Sequence, residues 1–167
     1  MTQPLVLISA CLLGEKVRYD GGDLLIEHPI LKNWLKQALL ISVCPEVSGG
    51  LPIPRLTAEI QMTNNDSIKV VNIKGADVTA KFSNGARRAL QLCQHNNIKI
   101  AILTENSPSC GSSNIYDGSF QGNKIVGEGV TAKLLRENNI RIFNQYQIEE
   151  AFNFHQNLYS MRCEKVL

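Results

Sequence analysis

The sequence predicts a single three-layer α/β domain with a central, mostly parallel sheet. Two observations carry that expectation: four short apolar runs that are near-continuous rather than alternating, and segments of helical period set between them. Near-continuous apolar runs are expected of strands covered on both faces. Strand alternating with helix implies right-handed crossovers that place helices on both sides of the sheet.

Leu5 to Ser9 (LVLIS) is the first strand. His28 to Ala38 follows as a helix, with Ile30, Leu31, Trp34, Leu35 and Ala38 on one stripe and Pro29 suited to its first turn. Leu39 to Val43 (LLISV) is the second strand. Thr79 to Asn96 carries Phe82, Ala86, Ala89, Leu90 and Cys93 along one helical face, and Asn96-Asn97 supplies a stop before the third strand, Ile98 to Leu103. Gly129 to Asn139 repeats the same grammar, with Val130, Leu134 and Leu135 apolar and Asn138-Asn139 leading into the fourth strand, Ile140 to Phe143. This alternation is that of a Rossmann-like sheet. Two irregular regions interrupt it, near 45–75 and 106–128, and read as functional loops. The first has room for a small hairpin around Asn64-Asn65-Asp66, and the second has turn signals at Asp117-Gly118 and Gly122-Asn123.

With 167 residues, 44% of them apolar and 19% charged, the chain can build one large core and is neither collagen-like nor disordered. A net charge of +2 is too near balance for a duplex-binding surface. No apolar run approaches the roughly 20 residues of a bilayer span. The apolar stretch Leu5 to Leu13 lacks the basic leader of a secretory signal, so the expected location is cytoplasmic. Five cysteines, an odd number, argue for metal-binding, catalytic or buried thiols in a reducing compartment rather than a disulfide framework.

The positions of three of those cysteines are informative. Cys11 follows the first strand, Cys44 the second, and Cys110 lies shortly beyond the third, each beside a Gly or Pro turn. Ligands of open α/β sheets bind outside the carboxyl ends of the strands, so three thiols far apart in sequence can converge at one edge. Such turns aim side chains outward and expose peptide N–H groups that stabilise a thiolate. Three thiolates suit a soft metal centre with an open position, being one short of a closed zinc or iron–sulfur site. The alternative is plain packing, since free cysteine is among the most buried residue types. Cys93 sits on the apolar stripe of its helix, and Cys163 lies near the C-terminus where fraying is expected, so neither is assigned to the site.

Longer motifs run through the same regions: S-A-C-L-L-G at Ser9 to Gly14, R-Y-D-G at Arg18 to Gly21, C-P-E-V-x-G-G-L-P-x-P-R at Cys44 to Arg55, D-V-T at Asp77 to Thr79 and S-P-S-C-G at Ser107 to Gly111. I-Y-D-G-S-F at Ile115 to Phe120 and G-E-G-V-T-A at Gly127 to Ala132 continue the series. Together they resemble the DUF523 family, from about Leu5 to about Phe143. That family includes the thiouracil desulfidases. The resemblance implies a [4Fe-4S] cluster held by Cys11, Cys44 and Cys110, with the fourth iron open to sulfur. It implies conversion of C=S to C=O, with release of sulfide, on thiouracil or a related thiolated pyrimidine base, nucleoside or nucleotide. It also implies acid–base or positioning roles for Glu46 and Ser107.

Those roles make chemical sense. Replacing sulfur by oxygen requires polarisation of C=S, delivery of water and stabilisation of departing sulfide; an open iron is a soft Lewis acid, and a nearby carboxylate can activate water. Read without the family, Glu46 is an exposed loop carboxylate or a helix-start partner, and Ser107 a turn or cap hydroxyl. Arg18 and Arg55 offer guanidinium forks suited to a substrate phosphate or carbonyl, or to ion pairing with Asp20 or Glu59. Gly127 to Thr131 reads either as a helix N-terminus able to receive an anion or as a tight turn with Thr131 near a cap.

Two positions depart from the family pattern. Many members carry a further cysteine where this chain has Val17, which implies that this thiol is dispensable for a three-cysteine cluster. Thr57 stands at a usual proline. His28, His95 and His155 match no motif and are assigned no function. The expected partner is a small thiolated pyrimidine, with no duplex nucleic acid and no membrane, on a monomer or homodimer. Competing readings are an enzyme with a single nucleophilic cysteine and no cluster, and a non-catalytic nucleotide- or metal-binding sensor.

Overall fold

A computed structural model describes residues 2–63 and 67–164. In chain order its elements are β1 (Val6–Ser9), α1 (Pro29–Lys36), β2 (Leu40–Val43), α2 (Pro45–Ser48), β3 (Ala58–Met62), β4 (Ile68–Asn72), α3 (Thr79–His95), β5 (Ile100–Leu103), β6 (Asn114–Tyr116), β7 (Lys124–Val126), α4 (Val130–Glu137), β8 (Arg141–Asn144) and α5 (Ile148–Glu164), with a 3-10 turn Ala10–Leu13 directly after β1. The four expected strands form one parallel sheet in the order β2-β1-β5-β8, with Leu7 beside Ile41 on one side and Ala101 on the other, and Ile102 beside Phe143. The strand order reverses between β1 and β5, which makes the end of that pair the topological switch point.

Side-chain alternation along the central strands separates two cores. Val6, Ile8, Ile100 and Ile102 face α1 and α5, packing on Leu31, Trp34, Ile148 and Ala151. Leu7, Ala101 and Leu103 face α3 and α4, packing on Ala89, Cys93, Ala132 and Leu135. Both faces are thus covered, as the unbroken apolar runs imply, and each large side chain so buried contributes about 1.5–3 kcal/mol before entropy is counted. Cys93 belongs to this packing; burial pushes its thiol up to about 12.

The punctuation works as the sequence suggests. His28 Nδ1 accepts from the Ile30 N–H at 3.2 Å and Pro29 takes the first helical position of α1. At the other ends, Asn97 and Asn139 adopt left-handed backbone (φ 51° and 61°) just past α3 and α4, a conformation asparagine tolerates better than most residues.

Helix α5 lies beyond the expected elements. It docks Ile148, Ala151 and His155 against the sheet and α1, with His155 Nε2 2.8 Å from the Pro4 carbonyl oxygen and its ring 5.0 Å from that of Trp34. Cys163 accordingly sits half-buried in a helix rather than in a frayed end. Each of the two irregular regions contains a short antiparallel pair, β3 with β4 and β6 with β7. The turn residues Asn64-Asn65-Asp66 lie outside the described residues, but the strands on either side of them pair as the hairpin requires. A third small core of Ile60, Val70, Phe82 and Ile115 fixes both pairs beside the carboxyl edge of the sheet. No helix among the described residues is long and apolar enough to cross a membrane.

Candidate active site

Three strand ends bring the three singled-out thiols to one cavity. Cys11 lies in the 3-10 turn after β1, Cys44 is the residue between β2 and α2, and Cys110 closes a turn seven residues past β5. All three line a cavity of about 520 Å³, together with Glu46, Ser107, Arg18 and Arg55. Every residue assigned to the site from sequence therefore meets at the switch point. All three cysteines are free thiols.

The local chain explains the placement. Cys44 starts α2 with extended backbone (φ −110°, ψ 104°) and Pro45 at the first helical position. The short α2 lies directly on α3: a Cβ on Gly85 would run into the Pro45 carbonyl, so only glycine permits the approach that brings Glu46 to the cavity. Ser107 Oγ accepts from the backbone N–H of Ser109 and of Cys110, each at 3.1 Å, which folds the turn that presents Cys110.

Burial raises the pKa of all three thiols. For Cys11 the Thr104 hydroxyl and the Arg18 charge partly offset it, and for Cys44 the Val47 backbone N–H does so. Cys110 is raised most, again by burial, and the charges of Cys44, Glu46 and Cys11 push it further up. The three sulfurs are thus close enough to repel one another as thiolates. They do not close on one ion: no three His, Cys, Asp or Glu side chains among the described residues are arranged to hold a single metal ion.

Glu46 is the polar centre of the cavity. Its Oε2 accepts from Arg55 Nε at 2.6 Å and its Oε1 from Ser107 Oγ at 3.3 Å. Arg55 Nη1 also donates to the Val17 carbonyl at 2.9 Å, and the same carbonyl lies 3.8 Å from the Cys44 sulfur. Position 17 thus serves the site through its backbone while the Val17 side chain packs in the core, so valine in place of cysteine leaves that support intact. Arg55 pairs with Glu46 rather than with Glu59, whose carboxylate accepts from the Phe120 N–H at 3.0 Å. Arg18 pairs with Asp20 at 3.7 Å and lies 5.7 Å from the Tyr19 ring. The residue at the second departure, Thr57, lines the cavity too.

One buried residue of the site went unread in the sequence. Glu105, two residues past β5, takes four backbone N–H bonds on Oε1, from Asn106, Ser112, Ser113 and Asn114 at 2.9–3.3 Å. Its Oε2 accepts from Ser112 Oγ and Asn144 Nδ2, both at 2.7 Å. Burial opposes its charge, but these donors outweigh it and hold the carboxyl below its ordinary value. No cation is needed. Glu105 ties the loop carrying Ser107 and Cys110 to the end of β8. A carboxylate directly at a strand end, in T-E-N-S-P-S-C, is the only sequence signal of this role.

The same loop settles the two readings of Gly127 to Thr131. The N–H groups of Gly129, Val130 and Thr131 donate to the carbonyls of Gly111, Pro108 and Ser109 at 2.8–2.9 Å, and Thr131 Oγ1 lies 2.8 Å from Ser109 Oγ. These donors are consumed by the Cys110 turn, so this helix start is a capped turn and no anion receiver.

Comparison with known proteins converges on one group. The model of a family described as 2-thiouracil desulfurase matches residues 6–147. A solved structure described as the [4Fe-4S]-dependent thiouracil desulfidase TudS is 44% identical, superposes with a TM-score of 0.84, and covers 89% of this chain and 95% of that one. The protein YbbK of Bacillus subtilis (strain 168), described as uncharacterized, is 36% identical over 151 residues, 87% of this chain and 99% of its own.

Proposed function

The chain belongs to the 2-thiouracil desulfurase family, and from that premise we propose that it is a [4Fe-4S]-dependent desulfidase. It converts the C=S of thiouracil, or of a related thiolated pyrimidine base, nucleoside or nucleotide, to C=O with release of sulfide. The observation that carries the reading is the meeting of Cys11, Cys44 and Cys110 with the Glu46–Ser107 pair on one cavity.

The donor set fits the group. Three free thiols that burial keeps protonated, and that repel one another as thiolates, call for a cationic partner. Soft thiolates suit iron–sulfur clusters, and the family match and the likeness to the [4Fe-4S]-dependent TudS support that group here. When bound, a cluster with three cysteine ligands supplies an open iron, a soft Lewis acid for the substrate's sulfur.

The chain's own residues handle the water. With Oε2 held by Arg55, Glu46 has Oε1 left to take a proton from water attacking the thiocarbonyl carbon. The C–O bond forms and the proton on Glu46 passes to the sulfur; as the C–S bond breaks, Glu46 takes the proton of the added hydroxyl and gives it to the departing sulfur. Water enters, hydrogen sulfide leaves, and no electron is gained or lost. The Ser107 hydroxyl orients the carboxylate, while Arg18 at the wall offers a donor fork to the substrate carbonyl or phosphate. A lone cysteine nucleophile is the weaker reading: burial raises all three thiols, and no histidine is among the residues lining the cavity.

Anaerobically reconstituted protein incubated with 2-thiouracil, and separately with 4-thiouridine and its 5′-phosphate, tests the proposal. The expected result is equimolar sulfide and oxygenated pyrimidine from at least one of them. Cluster-loaded protein that releases sulfide from none would leave a binding or sensing role in its place.

A further inference from the structure

One hydroxyl group stands directly behind a thiol. Thr104 is the first residue past β5, and its buried Oγ1 lies 3.0 Å from the sulfur of Cys11, which is 93 positions away in the chain. The Thr104 backbone N–H donates to Ser9 Oγ at 3.0 Å. That bond ties the first residue past β5 to the last residue of β1 and so fixes Thr104 beside the turn that carries Cys11. Both residues are buried, Ser9 2% and Thr104 8% exposed, at the floor of the cavity. A sulfur that ligates iron carries no proton, so toward it the Thr104 hydroxyl is the donor.

We propose that Thr104, anchored through its backbone N–H by Ser9, is a positioning residue whose hydroxyl hydrogen-bonds to the Cys11 sulfur and thereby tunes the iron–sulfur group that this cysteine helps to hold. The inference rests on the cluster reading above. A hydrogen bond to a ligating sulfur withdraws electron density from it, which raises the reduction potential of the cluster and weakens the sulfur's donation to iron. The iron then draws harder on a further sulfur donor. The bond from the Thr104 N–H to Ser9 holds that hydroxyl in place, so the Cys11 arm is adjusted by one structural unit across β1 and β5.

The test is the reduction midpoint of the reconstituted protein, measured with its iron content. Thr104→Val keeps the shape of the side chain and removes the hydroxyl; its midpoint is expected to move to more negative potential with iron retained. Thr104→Ser restores a hydroxyl and is expected to return the midpoint to that of the parent. Ser9→Ala is expected to shift it in the same negative direction. Iron-loaded Thr104→Val with the parent midpoint, or Thr104→Ser as negative as Thr104→Val, would overturn the proposal. If Thr104→Val loads no iron, Ser9→Ala decides, and an unchanged midpoint there overturns it. Failure of the parent protein to load iron would instead remove the cluster reading itself.

Discussion

Ser107 and Glu46, 61 positions apart in the chain, meet across the cavity, where the serine hydroxyl donates to Glu46 Oε1 at 3.3 Å. The same serine oxygen accepts from the N–H of Cys110 at 3.1 Å, so one side chain joins the carboxylate to the turn that presents a thiol. Acid–base group and ligand are thereby held in one frame.

Glu46→Gln keeps the size of the side chain and an oxygen for Arg55 but removes the base. Sulfide release from thiouracil is expected to fall by about 10²–10⁴-fold, the usual worth of a general base, with iron content unchanged. Loss of iron in step with activity would assign Glu46 a structural role instead.

Arg55→Met leaves Glu46 without its counter-charge where the two side chains are only 6% and 15% exposed. Removing one partner of a buried pair costs about 3–5 kcal/mol, and the residual exposure here places the loss near the lower end. A denaturant titration of Arg55→Met is expected to show it, with partial recovery in Arg55→Lys. An unchanged midpoint would mean that solvent supports Glu46 without the arginine.

Glu105 makes a pH prediction. Its folded pKa is lowered, so its contribution is fully present above the unfolded value of about 4.3 and is lost as pH falls through the lower folded value. Glu105→Gln, which sets an amide against a ring of donors, is expected to cost about 2–4 kcal/mol at neutral pH. That difference from the parent should shrink as the pH drops below about 4. Parallel stability curves down to pH 2 would contradict the assignment.

The sheet was legible because each strand is a near-continuous apolar run and two helices end on an Asn pair, and Asn97 and Asn139 do take the left-handed conformation. The cysteines were legible from their places after those strands. Helix α5 was not, because its core-facing positions include a histidine: His155 is fully buried against Trp34 with the Pro4 carbonyl at its ring nitrogen, contacts that no local pattern announces. Glu105 escaped for a related reason. A lone glutamate reads as solvated, and what buries it is a loop of backbone N–H groups that closes around it only in the fold. The pairing of Arg55 with Glu46 is likewise a tertiary choice among three nearby carboxylates.

Gly85→Ala probes how Glu46 is delivered. An added methyl meets the backbone of Pro45, which is not the yielding end of a side chain, so α2 and α3 must separate. Overpacking of this kind typically costs about 1–3 kcal/mol, and here it should also displace Glu46. Thermal unfolding at lower temperature together with reduced kcat is the expected outcome. A variant as stable and as active as the parent would show that the approach is looser than the structure describes.

The central claim is that Cys11, Cys44 and Cys110, and no other cysteines of the chain, hold the cluster. Iron and acid-labile sulfide per chain, measured after anaerobic reconstitution of the five single Cys→Ser variants, test it most directly. The account predicts about four of each in the parent protein, in Cys93→Ser and in Cys163→Ser, and loss of stable cluster from Cys11→Ser, Cys44→Ser and Cys110→Ser. Full iron in any of the last three, or its loss from Cys163→Ser, would contradict it.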